Sequence, residues 1–272
     1  MRDRKGNMRR IIRKTQHASR ADEFTLLVVA DIHSGNVHCR EDILKAAVKR
    51  VLEEEKTYLL LGGDYGEYIN LHDPRFTVDD LAGWLLGREE LKDIARAETA
   101  RLLNILKPVS DKILGMIMGN HESKILQHSE VDVYGALIEG LQSKDAHRLD
   151  HRGVVDWVFE RVTGESKTSR KIRFFITHGS GGGENVEIKV RKLVAQSDGM
   201  DVVITCHHHK ALIRPFQKIR ADGYATVWGI SCPSLCPEMR YAEERDYPPE
   251  PVGYVELKIV PDKRKIDARL II

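Results

Sequence analysis

Five short segments of the 272-residue chain carry side chains able to hold metal ions: Asp31-Ile32-His33, Gly62-Gly63-Asp64, Gly119-Asn120-His121-Glu122, Thr177-His178-Gly179 and Cys206-His207-His208-His209. Among them are two aspartates, four histidines and one asparagine suited to coordination. This mixture of oxygen and imidazole donors points to a first-row transition ion rather than calcium. Two divalent cations roughly 3.5–4 Å apart repel each other, so a pair needs a shared carboxylate, and Asp64 is the natural bridge. Such a pair polarises a phosphoryl oxygen and activates a water for attack.

Strands must position these residues. Each segment follows an apolar run: LLVVA before Asp31, TYLLL before Gly62, KILGMIM before Gly119, KIRFFI before Thr177 and DVVIT before Cys206. Runs of this length and β-branched content read as buried strands. Their ligand residues would then meet along one edge of a sheet, outside the carboxyl ends of its strands, where open α/β sheets bind ligands. Residues 41–56 carry apolar side chains at helical spacing (Ile43, Leu44, Ala47, Val48, Val51, Leu52) and join the first two strands as a right-handed βαβ unit. Two helices are expected over 78–86 and 89–106, the second ended by Pro108. VVDWVFERV and KIRFFIT flank Gly164-Glu165-Ser166-Lys167 as a hairpin. Strands at 212–219, 224–230, 253–260 and 266–271 would build a second sheet packed on the first. The expected fold is α/β, a two-sheet β-sandwich flanked by helices.

The set D-x-H, G-D, G-N-H, H-G and C-H-x-H resembles the calcineurin-like metallophosphoesterases, including phage and bacterial members, over about residues 26–210. Any one of these motifs arises by chance; five in order, each after a strand, is specific. The resemblance implies a four-layer αββα fold and a dinuclear phosphoesterase. It places Asp31, His33 and His209 on one ion, Asn120, His178 and His207 on the other, and Asp64 between them. His121 then resembles the general acid that protonates the leaving oxygen. Manganese leads the expected cofactors, with iron, zinc, nickel or magnesium as alternatives. Cys206 departs from the family's usual glycine and is tolerated there only with ordinary backbone angles. Glu122 stands where many relatives have aspartate, and the arginine of the protein phosphatase branch is missing after His121. Phosphodiesters, as nucleic acid or nucleotides, are therefore the expected substrates; the alternatives are a phosphomonoesterase and a non-catalytic metal-binding scaffold.

Arg75 is a candidate phosphate contact or a solvated loop residue. Gly181 and Gly182, in Ser180-Gly181-Gly182-Gly183, either present backbone N–H groups to a phosphate or form a plain turn. His38, His72, His128, His147 and His151 read as surface or loop residues, and His208 should point away from the metals.

Residues 1–20 hold eight basic side chains and one acidic, +7 in a chain whose total is +2, which leaves −5 for the remainder. The expected organisation is a basic arm over residues 1–22 and a metallophosphoesterase domain over 23–272 with a helical insertion at about 70–110. The arm suits nucleic acid, a solvated tail or another subunit's acidic surface. Apolar runs are too short for a membrane span, and four cysteines without secreted context suggest reduced thiols. A cytoplasmic protein is expected.

Overall fold

Residues 24–29 are all buried, yet alternate side chains enter different cores: Phe24, Leu26 and Val28 join one cluster, Leu27 and Val29 another. A strand buried on both faces is an inner strand with a layer on each side. The computed structural model describes residues 8–71, 73–142, 147–181, 185–220, 223–237 and 248–272. It contains four layers.

Strands β2 (Phe24–Val29), β3 (Thr57–Leu61) and β4 (Ile113–Met116) run parallel. With β10 (Tyr254–Val260) and β11 (Lys265–Ile271) they form a five-stranded sheet in the order β11-β10-β2-β3-β4. The second sheet takes β1 (Arg10–His17), β5 (Arg152–Thr163), β6 (Ser166–Thr177), β7 (Val202–Thr205), β8 (Leu212–Arg220) and β9 (Gly223–Ser231) in the order β1-β5-β6-β7-β9-β8. Phe24, Leu26, Trp157, Phe159, Phe174 and Leu257 pack between the sheets. Helices α1 (Glu41–Glu53), α3 (Ile94–Leu106) and α5 (Val133–Gly140) cover the outer face of the five-stranded sheet through Val48, Val51, Leu102 and Leu137. Helix α6 (Val186–Gln196) covers the other sheet through Val190 and Val194. Among the described residues no helix is long and apolar enough to cross a membrane.

Several expectations change. Residues 254–260 and 265–271 belong to the sheet of β2, because β10 pairs antiparallel with β2 along its free edge. The span 78–86 is two 3-10 turns, Val78–Asp80 and Gly83–Leu85, where Gly83 weakens a helix and Leu81 and Leu85 fill a small satellite core with Ile94. The span 89–106 divides into α2 (Arg88–Lys92) and α3 because the Asp93 side chain accepts from Arg96 N and caps a new helix.

Of the basic arm, residues 1–7, with Arg2, Arg4 and Lys5, lie outside the described residues. Residues 10–17 are strand β1, parallel to β5 at the sheet edge, with Ile11 and His17 buried. Arg10 pairs with the buried carboxylate of Asp156, which also lies 2.9 Å from Arg173 Nε on β6. Lys14 Nζ lies 3.8 Å from Glu160 Oε1, and Arg13 donates to the Ile113 carbonyl at 2.7 Å. His147, expected at the surface, is buried against Arg13. Arg10 and Arg13 thus find partners within the protein, while Lys14 stays largely exposed beside Glu160.

Candidate metal centre

The ligand-bearing segments follow β2, β3 and β4 in one sheet and β6 and β7 in the other, so the site lies where the carboxyl ends of two sheets converge rather than along one. Helix α4 (Asn120–Ser129) starts at the site and brings Asn120 and His121 on its first turn. Ligand atoms of Asp31, His33 and His209 lie within 4.8 Å of one another, as do those of Asp64, His178 and His207. His33 Nε2 is 3.3 Å from His209 Nε2, and His178 Nε2 is 3.1 Å from Asp64 Oδ2 and 3.0 Å from Asn120 Oδ1. The two groups share a wall, since Asp31 Oδ1 is 4.0 Å from His178 Nε2.

Five of these residues have left-handed backbone: Asp31 (φ 49°), His33 (51°), Asp64 (49°), His207 (73°) and His209 (57°). Each such conformation costs on the order of 1–3 kcal/mol and persists only where surroundings enforce it. Here the first two loops are zipped together: Asp31 N donates to Gly63 O at 3.0 Å, Ile32 N to Asp64 O at 2.8 Å and Ser34 N to Tyr65 O at 2.9 Å. Gly119 is required by close approach, because a Cβ there would sit 2.1 Å from Asp64 Oδ1. Cys206 keeps ordinary backbone angles, and its thiol fills the space beside Gly62.

The outward atoms of the candidate ligands are already engaged. His178 Nδ1 donates to the Gly62 carbonyl at 2.8 Å, and Glu67 Oε2 lies 3.0 Å from His33 Nδ1, which turns both Nε2 atoms inward. Asp64 Oδ1 accepts from His121 N at 2.9 Å, leaving Oδ2 toward His178. His121 Nδ1 faces the Glu67 carbonyl at 2.5 Å, so that nitrogen carries the proton.

Buried charge must be compensated here. Burial pushes the Asp31 carboxyl up to about 7, opposed chiefly by His178. Burial disfavours a charged His178, but the carboxylates of Asp64 and Asp31 outweigh it and hold the ring up at about 10. His33 likewise overcomes burial through Glu67, Asp64 and Asp31 and rises to about 9. His207 falls to about 4 through burial and the neighbouring His178. Protons thus stand in for positive charge that the carboxylates demand. Aspartate oxygens, imidazole nitrogens and an amide oxygen converging around them fit divalent metal ions.

Three carboxylates without a role in the motif logic support the loops. Glu122 is buried and accepts from Asp64 N at 3.1 Å, Gly119 N at 2.7 Å and Tyr65 N at 2.7 Å. Glu67 orients His33 as described. Glu98, on α3, accepts from Tyr68 N at 2.8 Å and packs where a Cβ on Gly35 or Gly66 would go. Adjacency to Asp64 and His121 was the available signal for the first two; Glu98 gave none.

The candidate substrate contacts separate. Arg75 lines a cavity beside His121, where Asp73 holds it at 2.7 Å. Gly181 is exposed with open space around it, and Gly182 lies outside the described residues, as does His72. His208 contacts Lys189 on α6 and packs edge-on against the ring of His207, their centroids 5.4 Å apart.

A calcineurin-like phosphoesterase family model matches residues 24–224. Among solved structures, a predicted phosphoesterase from Streptococcus pneumoniae is 11% identical, with 92% of this chain and 99% of that one covered and a TM-score of 0.37. Zinc-complexed Vps29 from Entamoeba histolytica is 13% identical, with coverages of 91% and 98% and a TM-score of 0.38. The NAD nucleotidase of Haemophilus influenzae is 13% identical over 94% of this chain and 50% of that one, at a TM-score of 0.43. No curated protein sequence matches the chain. With the family model spanning most of its length and the ligand groups assembled at the sheet ends, the chain belongs to the calcineurin-like phosphoesterases.

Proposed function

We propose that the protein is a dinuclear metal-dependent phosphodiesterase acting on nucleotide or nucleic-acid substrates. The observation that carries this reading is the pair of depressions flanking the start of α4. One, of about 480 Å³, is lined by His121, Lys124 and Arg75, and the other, of about 440 Å³, by Asn120, Ser123 and Lys189. A phosphodiester carries two substituents and a monoester one, so a site open on both sides suits the diester.

Asp31, His33 and His209 would hold one ion, Asn120, His178 and His207 the other, and Asp64 would bridge them. When bound, two such ions polarise the phosphoryl group and activate the attacking water. Asp64 accepts from His121 N and so ties α4 to the β3 loop, Asn120 Oδ1 reaches His178, and His121 would face the leaving oxygen through Nε2. Because its Nδ1 proton is committed to the Glu67 carbonyl, His121 can deliver a proton only from the imidazolium form. Manganese is the first choice of ion; iron, zinc, nickel and magnesium satisfy the same donors. Contact with a polymer through the basic N-terminal segment, where Lys14 stays largely exposed, belongs to the same reading. Four free cysteines fit the cytoplasm as the compartment.

The test loads the protein with manganese, counts ions per chain and compares bis-nitrophenyl phosphate with nitrophenyl phosphate. About two ions and a higher kcat/KM for the diester are expected, with ion loss and undetectable turnover in Asp64→Ala. Faster hydrolysis of the monoester would make the protein a phosphomonoesterase. Two ions without turnover of either compound would leave a metal-binding scaffold.

A further inference from the structure

His121, Lys124, Ile125 and His128 recur at the spacing of one face of α4, and that face walls the larger of the two depressions. The opposite wall comes from Tyr68, Pro74 and Arg75. Since His121 stands at its inner end, this cavity is where a group whose oxygen takes up a proton would lie. Its size and apolar patches, Tyr68, Pro74 and Ile125, suit a nucleoside.

Its charges are unevenly distributed. Asp73 binds Arg75 through two contacts, at 2.7 and 3.0 Å, and is itself held down to about 2 by that arginine. Glu67 is turned back toward His33. Lys124 is exposed and forms no ion pair among the described residues. It stands one helical turn from His121, a rise of about 4.5 Å. Across α4, by contrast, Lys189 already contacts the Ser180 carbonyl and His208. The two sides of the site therefore offer different electrostatic environments.

We infer that the cavity beyond His121 receives the leaving group and that Lys124 binds a second phosphate carried on it. The preferred substrate is then a diester whose departing nucleoside is itself phosphorylated, as at an internal linkage of an oligonucleotide. This rests on the phosphodiesterase reading. In the step itself water adds to phosphorus and the P–O bond to the leaving nucleoside breaks. The departing oxygen takes a proton from His121, which is reprotonated at the cost of the one released by water. The products are a phosphate monoester and an alcohol.

The experiment compares thymidine dinucleotide with the same dinucleotide bearing an extra phosphate at its 5′ or its 3′ end. Manganese-loaded wild-type, Lys124→Ala and Lys124→Arg proteins are assayed. One of the two phosphorylated compounds should exceed the unphosphorylated one in kcat/KM by about tenfold at low salt, as expected for a charge-assisted contact. Lys124→Ala should bring that ratio close to one, and Lys124→Arg should retain most of it. Turnover of the dinucleotides with no preference in the wild type, or with the same preference in Lys124→Ala, overturns the inference and leaves the phosphodiesterase reading standing. Failure of the metal-loaded protein to cleave any dinucleotide or bis-nitrophenyl phosphate overturns both.

Discussion

Replacing Glu98 with glutamine keeps the shape of a side chain that is wholly inaccessible to solvent. Its Oε2 accepts from Tyr68 N, and no described group reaches Oε1. Burial raises this carboxyl well above its ordinary value, and Glu67 and Glu122 add to the effect. The native state therefore keeps Glu98 protonated at pH values where the unfolded chain, with a pKa near 4.5, has released the proton. Raising the pH through that window stabilises the unfolded state relative to the native one by about 1.4 kcal/mol per unit. The loss accumulates with each unit of pH for as long as the native group keeps its proton. Glutamine has no proton to release, so Glu98→Gln should gain on the wild type steadily as pH rises. At about 2–4 °C per kcal/mol, the gap in Tm should widen by roughly 3–6 °C for each pH unit of that window. Urea or thermal unfolding of metal-free protein across this range measures it. A difference between the two proteins that does not change with pH would refute the reasoning, because it would mean Glu98 ionises equally in both states.

Glu122→Ala should leave the buried N–H groups of Asp64, Tyr65 and Gly119 without acceptors, and metal affinity, read by competition with a chelator, should fall about 10–100-fold. Deleting residues 1–20 should lower the unfolding free energy by several kcal/mol, since it removes strand β1, the buried Ile11 and the Trp157–Thr15 hydrogen bond of 2.8 Å. Denaturant unfolding checks this, and a truncated protein as stable as the full chain would return those residues to the status of a tail.

The candidate ligand positions stand out in the sequence because each combines a chemically distinctive residue with an apolar run immediately before it, as in LLVVA-Asp31 or DVVIT-Cys206. Type and location were both local information. Sheet membership was not: YVELKIV reads as a buried strand whichever neighbour it finds, and only the tertiary fold places it beside β2. The same holds for RIIRKTQH, whose charges look like a solvated tail until Asp156 and Glu160, far along the chain, are set opposite them. Glu98 was hidden for a related reason. A glutamate in a helical pattern ordinarily faces water, and what buries this one is the approach of the loops carrying Gly35 and Gly66.

The position of β10 between β2 and β11 also governs how the chain can be made. Val28 pairs with Val255, so the second partner of β2 emerges from the ribosome more than two hundred residues after β2 itself. At about 5–20 residues per second that interval lasts on the order of 10–45 s. During it the FTLLVV strand can pair with β3 but presents an open, apolar edge on its other side. Such an edge accepts a foreign strand as readily as its own. Pairings so distant in sequence also form slowly once both partners exist. The aggregation hazard of this protein is thus concentrated in its biosynthesis, and overexpression at a lower temperature or with a chaperone that shelters strand edges should raise the recovered fraction more than any stabilisation of the finished sheet.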